Sequence, residues 1–268
     1  MANANLRHVV LALACVGAGL PLTAAAQDTA TTTAAPADSE PPLIDPEAMA
    51  AMDRMSAALQ TLQFFSVKSE ATTEIVLEKG QKIQFSGHVD LKVKRPNAFR
   101  VAAEADTQTR EMYYDGKTFT IFAPRLGYYA AFDAPATIGQ TLDKARTEYA
   151  LEVPLADLFI WGTDQTIRAR VKEAMVIRPE RIDSRTCMHY AFRQEKVDWQ
   201  VWIDQGEKPL PCKIVITSTE DASQPQYIAV LNWDLSTPVD PAAIAFAPPA
   251  DAKKISIAQA AADQGEGK

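Results

Sequence analysis

Two cysteines, two histidines and an isolated aspartate carry most of the reactive chemistry this chain could offer. Cys187 and His189 stand two residues apart in Cys187-Met188-His189, and Cys212 follows beyond the next strand-like stretch. A cysteine beside a histidine can act as a nucleophile when the imidazole takes the thiol proton. That needs an activating environment, and this pair sits in the middle of an alternating, sheet-like segment. Metal ligation by Cys187, His189 and Cys212 falls short of the four ligands a structural zinc takes. His88 falls on the polar side of another alternating segment, where a single histidine is incidental. Asp157 interrupts the apolar run Leu155 to Trp161. It reads either as a carboxyl with a raised pKa in a cleft or as an exposed residue capping a neighbouring turn. The chain has no Gly-x-Ser-x-Gly, His-Glu-x-x-His, complete Walker Gly-x-x-x-x-Gly-Lys-Ser/Thr or Cys-x-x-Cys motif. No catalytic residue, metal ligand or cofactor is therefore expected.

The positive signal is aromatic. Phe85, Phe99, Phe119, Phe159, Trp161, Trp199, Trp202 and Trp233 supply large apolar area, and most of it lies on predicted strands. The elements that must position these residues follow from periodicity. Val197, Trp199, Val201 and Ile203 alternate with Asp198, Gln200 and Asp204, the pattern of a half-buried strand. Cys187–Phe192, Cys212–Thr217 and Tyr227–Leu235 flank that strand, and Gln194–Lys196 and Gln205–Pro211 serve as loops. Together they read as an antiparallel meander. In a regular meander Cys187 and Cys212 lie two strands apart, about 9.6 Å, while a disulfide needs Cα atoms within about 7 Å. A bend after Pro209 and Pro211 could close that gap, so the bond stays open at this point.

A second set of strands precedes the meander. Val67, Ala71, Ile75 and Leu77 alternate with charged residues, and Lys79-Gly80-Gln81 turns the chain. Ile83, Phe85, Val89, Leu91 and Val93 share one face of the next strand. Phe99 to Ala105, the Asp115-Gly116 hairpin, Thr118 to Ala123 and Tyr128 to Phe132 continue the series. Asp45-Pro46-Glu47 opens a helix over about 46–63 carrying Met49, Met52, Met55, Leu59 and Leu62. Thr137 and Gln140 form a capping box for a helix over 138–149. Pro154 starts a short apolar helix ended by Gly162, and strands resume near Ile167.

Outside this region, Arg7 and His8 precede an apolar run, Val9 to Leu22, ending in Ala24-Ala25-Ala26. This is the layout of a cleaved signal peptide over 1–26; the run is too short to span a bilayer, which argues against a retained anchor. Lipidation at Cys15 fits less well, because Ala12 stands where a large aliphatic residue is usual. A periplasmic or secreted mature chain starting at Gln27 would have no transmembrane segment. Losing Arg7 moves the net charge from −7 to −8, so nucleic acid and anionic membrane surfaces are poor partners. Residues 27–44 are rich in Thr, Ala and Pro and read as a disordered linker. Residues 45–250 read as a single domain and 251–268 as a flexible tail. The fold class is mainly β (α+β): a strongly curved, open antiparallel sheet of about ten strands. Two or three helices lie in its concave face, giving a half barrel.

Several stretches carry a resemblance to a known family. These are Met112-Tyr113-Tyr114-Asp115-Gly116-Lys117-Thr118-Phe119, Pro135-Ala136-Thr137-Ile138, Pro154-Leu155-Ala156-Asp157-Leu158-Phe159 and Cys187-x-His189-Tyr190-Ala191-Phe192-Arg193-Gln194, then Asp198-Trp199-Gln200-x-Trp202-Ile203 and Pro209-Leu210-Pro211. Over about 47–250 the chain resembles a bacterial family of predicted periplasmic proteins of unknown function. That family is similar to the lipoprotein-carrier superfamily of LolA, LolB and RseB. Cys212 stands where the family commonly has a basic residue. The resemblance implies a LolA-like fold and the holding of acyl chains or other hydrophobic ligands, without catalysis. An RseB-like sensor or scaffold binding an envelope protein is the alternative. The lining expected on either reading is Phe85, Val89, Leu91, Phe99, Val101, Phe119, Ile121, Phe159, Trp161, Trp199, Val201 and Ile203.

Overall fold

Alternating residues become strands of one sheet in the computed structural model, which describes residues 43–106, 108–161 and 166–259. The chain enters through α1 (Pro46–Thr61), where the Asp45 carboxylate accepts from the Glu47 amide at 2.8 Å and Pro46 opens the first turn. It then runs up and down through β1 (Phe64–Val76), β2 (Lys82–Lys94), β3 (Ala98–Ala105), β4 (Thr109–Tyr114), β5 (Thr118–Ala123) and β6 (Tyr128–Asp133). Three helices interrupt: α2 (Ile138–Tyr149), α3 (Asp157–Ile160) and α4 (Thr166–Arg170). A second meander follows, with β7 (Glu173–Ile182), β8 (Arg185–Arg193), β9 (Val197–Asp204), β10 (Pro211–Ser218) and β11 (Gln226–Asp234), and β12 (Lys253–Lys254) comes last.

The sheet order is β12-β6-β5-β4-β3-β2-β1-β11-β10-β9-β8-β7. The two meanders are joined by antiparallel pairing of β1 with β11. The outer strands β12 and β7 do not pair with each other, so the curved sheet stays open. It holds twelve strands against the expected ten or so. The turns fall where glycine permits them: Gly80 (φ +80°) between β1 and β2, and Gly116 (φ +93°) in the Asp-Gly hairpin.

One face of the sheet is covered by helices. Met52, Met55 and Leu59 of α1, Leu142 and Ala145 of α2, and Leu158 and Phe159 of α3 share one core with Phe65, Val67, Leu91, Phe99, Val101, Val201 and Leu231 of the sheet. Phe159 is central to it, with ring centroids 5.5 Å from Phe99 and 6.3 Å from Phe65.

The structure departs from the sequence reading at several points. The strand expected near Ile167 is the helix α4, and β7 begins only at Glu173. Arg170 reaches back to the Thr166 carbonyl (3.3 Å) and hydroxyl (2.7 Å), and Arg168 binds Asp53 of α1 at 2.6–2.7 Å. Those side-chain bonds, with two cations in the last turn, favour the helix. Gly162 lies outside the described residues, as do 1–42 and 260–268 of the expected signal peptide, linker and tail. Both described flanks join the sheet. Ala174 donates to the Leu43 carbonyl (2.9 Å) and accepts from Asp45 (2.8 Å), and Lys253–Lys254 pairs in parallel with Tyr128–Tyr129.

Cys187 and Cys212 form a disulfide with Cα atoms 6.7 Å apart. The regular-meander spacing does not apply, because the β9–β10 register shifts between Pro211 and Lys213. Cys212 is the extra residue of that bulge, and bulges bend the strand that carries them. Cys187 pairs with Asp204, the last residue of β9, so the bond closes around a strand end.

Candidate functional site

Register shows how the helix-covered face changes along its strands. One row of neighbouring residues reads Trp233, Val67, Leu91, Val101, Met112 from β11 across to β4. The next reads Leu231, Ser69, Val89, Ala103, Arg110. The third is Ala229, Ala71, Gly87, Ala105, and the fourth Tyr227, Thr73, Phe85. Side chains shrink from large to nearly nothing and then grow again.

The small row leaves space. A hollow of about 380 Å³ is lined by Ala71, Gly87, Ala103 and Ala105, with Val89, Met112 and Arg110 to one side and Thr73, Ile75, Phe85 and Tyr227 to the other. Glu152 and Pro154, from the α2–α3 connection, complete its rim. The volume falls within the range of small-molecule sites. Gly87 has a further reason to be glycine: a Cβ there would stand 2.7 Å from the Glu104 carbonyl oxygen of β3. At the mouth, Phe85 and Ile75 remain 44% and 50% exposed.

The expected lining divides between this hollow and the closed core. Phe85 and Val89 line the hollow. Leu91, Phe99, Val101, Phe119 and Val201 are fully buried in the core, with Phe159, Trp161, Trp199 and Ile203 nearly so. Ile121 packs half-buried against them. Trp199 is wedged between Phe192, stacked at 4.0 Å, and Trp161 at 5.8 Å. These aromatics fill space among the helices. The alanines, Gly87, Thr73 and Tyr227 that bound the hollow escaped the sequence reading. For the alanines and Gly87 the signal was smallness at facing register positions of three strands.

Tyr227 lines the hollow, and Asp157 opens α3 next to the buried Leu158 and Phe159. Burial pushes the Asp157 carboxyl up to about 6, and the charge of Glu152 acts in the same direction. Asp157 stands part-buried in the first turn of α3. The Tyr227 hydroxyl is buried too, and both burial and the Asp157 charge hold its phenol above the usual range.

On the opposite face, Trp202, Val215 and the disulfide make a small separate cluster. His189 stacks on Trp202 at 3.9 Å and bonds to Gln200 (3.0 Å), and Trp202 donates to Glu180 (3.0 Å). The Cys187 and Cys212 sulfurs lie within 4.8 Å of an Asp204 carboxylate oxygen. Joined to each other, they offer no thiolate to a metal or a substrate. His88 pairs with Glu70 across the polar face at 2.9 Å.

Residues 48–258 match the family model described as predicted periplasmic protein, DUF2092. The chain belongs to this family. It is a periplasmic protein, as the family description states, and no helix among the described residues is long and apolar enough to cross a membrane. No curated protein matches DUF2092's member here. Among solved structures it is similar to the lipoprotein LppX of Mycobacterium tuberculosis, at 16% identity over 73% of this chain and 100% of that one, TM-score 0.47. LprF of Mycobacterium bovis is similar at 18% identity, covering 79% of this chain and 100% of that one, TM-score 0.44. A LolA superfamily protein from Nitrosomonas europaea is similar at 11% identity over 74% and 97%, TM-score 0.38.

Proposed function

We propose that this DUF2092 protein is a non-enzymatic periplasmic binding protein that shelters an acyl chain or another hydrophobic ligand in the hollow between β1, β2, β3 and the α2–α3 connection. The observation that carries the reading is the row Ala71, Gly87, Ala105, which withholds side-chain volume where the neighbouring rows supply it. A core built for stability alone fills such space, because interiors close to crystal density. The lipid-carrier resemblance of the sequence agrees with this use. Binding is reversible burial, with each methylene withdrawn from water contributing about 0.8 kcal/mol. Movement of the α2–α3 connection controls access.

The test is uptake of a fluorescent fatty probe by the purified protein, with native mass spectrometry of protein taken from its own periplasm. A co-purifying lipid mass and probe uptake that Ala103→Leu abolishes support the reading. Normal uptake by Ala103→Leu, with its fold intact, overturns the assignment of the hollow.

A protein partner docked on the same sheet is the second reading. Met175 and Ile177, 45% and 42% exposed on the outer strand β7, favour it. A clean apo mass with no probe uptake would select it.

A further inference from the structure

The hollow has a largely apolar wall and two opposite charges at its rim. Arg110 of β4 and Glu152 of the α2–α3 connection both line it. Both residues are exposed, so a bound molecule can reach them. Neither makes an ion pair or a side-chain hydrogen bond among the described residues, and they do not pair with each other. Other arginines of the sheet are tied down: Arg100 to Glu111 at 3.2 Å, Arg185 to the Leu231 carbonyl at 2.7 Å, and Arg193 to Asp198 at 2.9 Å. The remaining charged residues of the wall, Glu104 and His88, alternate to the polar face, where His88 meets Glu70.

The placing of these two charges restricts the head of a ligand. Arg110 stands across from Ala103, at the end of the row Leu231, Ser69, Val89, Ala103. A guanidinium there can lay its methylenes along apolar neighbours and keep its charge at water. Glu152 borders the same hollow from the helix side. A singly charged head is drawn by one of these residues and repelled by the other, and the two effects offset each other. An uncharged head uses neither. A head carrying both signs gains from both, and a guanidinium grips phosphate through paired N–H bonds.

We propose that the hollow takes an amphiphile with a dipolar head, a phosphodiester joined to an ammonium, with the phosphate on Arg110 and the ammonium on Glu152. The inference rests on the sheltering role proposed above and names the class of the ligand's head. The tail lies along Ala71, Gly87 and Ala105, and the two charges fix which end stays at the rim.

The experiment displaces a fluorescent aminoanthracene probe from the full chain with ligands of one tail length, each below its micelle-forming concentration. They are dodecylphosphocholine, methyl dodecyl phosphate, dodecyltrimethylammonium and dodecanol. In the wild type, dodecylphosphocholine should compete about fivefold better than either singly charged ligand, the effect of one exposed charge contact. In Arg110→Gln its lead over dodecyltrimethylammonium should shrink to within about twofold. In Glu152→Gln its lead over methyl dodecyl phosphate should shrink likewise. Dodecanol, which carries no charge, should shift by less than about twofold in either variant, which separates a lost charge contact from a lost fold. Equal competition by dodecylphosphocholine and a singly charged ligand in the wild type overturns the inference and leaves the sheltering role standing. So does a lead that survives both substitutions. If neither the probe nor dodecanol binds, the sheltering role falls and this inference with it.

Discussion

The row of Val67, Leu91 and Val101 and the row of Ala71, Gly87 and Ala105 lie on the same face of the same three strands, two steps apart. The first meets helices and is sealed; the second meets an open space bounded by Phe85, Tyr227 and the rim at Glu152. Backbone pairing is continuous through both. What separates the sealed core from the proposed binding site is therefore helix cover and side-chain volume, and substitutions should separate the two ends cleanly.

Phe99→Ala strikes the sealed end, where the ring is fully buried against Phe159, Tyr114 and Phe119. It should cost about 3–5 kcal/mol in denaturant unfolding. A loss below about 1 kcal/mol would mean that this end is not a packed core. Replacing Cys187 and Cys212 together by alanine should cost about 2–4 kcal/mol. Because the bond closes around the end of β9, away from β1 to β3, probe uptake at the hollow should persist in the folded fraction. Lost uptake in a folded double mutant would tie the two regions together.

Asp157 gives a pH-dependent comparison. Its folded pKa of about 6 lies above the ordinary 3.8, so between those values the folded chain holds more protons than the unfolded one. Its contribution to stability is full below about pH 4, falls as pH rises to about 6, and stays low above that. The ceiling on this loss is roughly 3 kcal/mol, at 1.36 kcal/mol per pH unit. Asp157→Asn should remove that slope, read as the difference between the two proteins' unfolding curves across pH. Parallel curves would place the carboxyl in solvent.

Phe85→Ala should do the least to stability, within about 1 kcal/mol, because nearly half of the residue is already exposed. It should still weaken probe uptake several-fold. A large stability loss with unchanged uptake would reverse the roles assigned to the two ends.

Period-two alternation was enough to find the meander around Val197 to Asp204 within a residue or two, and the caps at Asp45 and Thr137 marked the long helices. Both signals are local. The hollow is not local. Ala71, Gly87 and Ala105 become neighbours only through the pairing of three strands, and each alone is an unremarked small residue. The large aromatics drew attention because area is visible in sequence, yet most of it went to filling the core. The disulfide depended on a one-residue bulge after Pro211, and α4 on the side chains of Arg168 and Arg170. Neither leaves a periodic trace.

The seam between β1 and β11 has a consequence for biogenesis. Glu74 receives its hydrogen bond from Gln226, 152 residues further along the chain. Until that late segment is in place, β1 has a neighbour on one side only and the two meanders cannot join. Pairing over such a distance in sequence is slow. Joining of the two meanders along this seam is therefore expected to be a late step of folding.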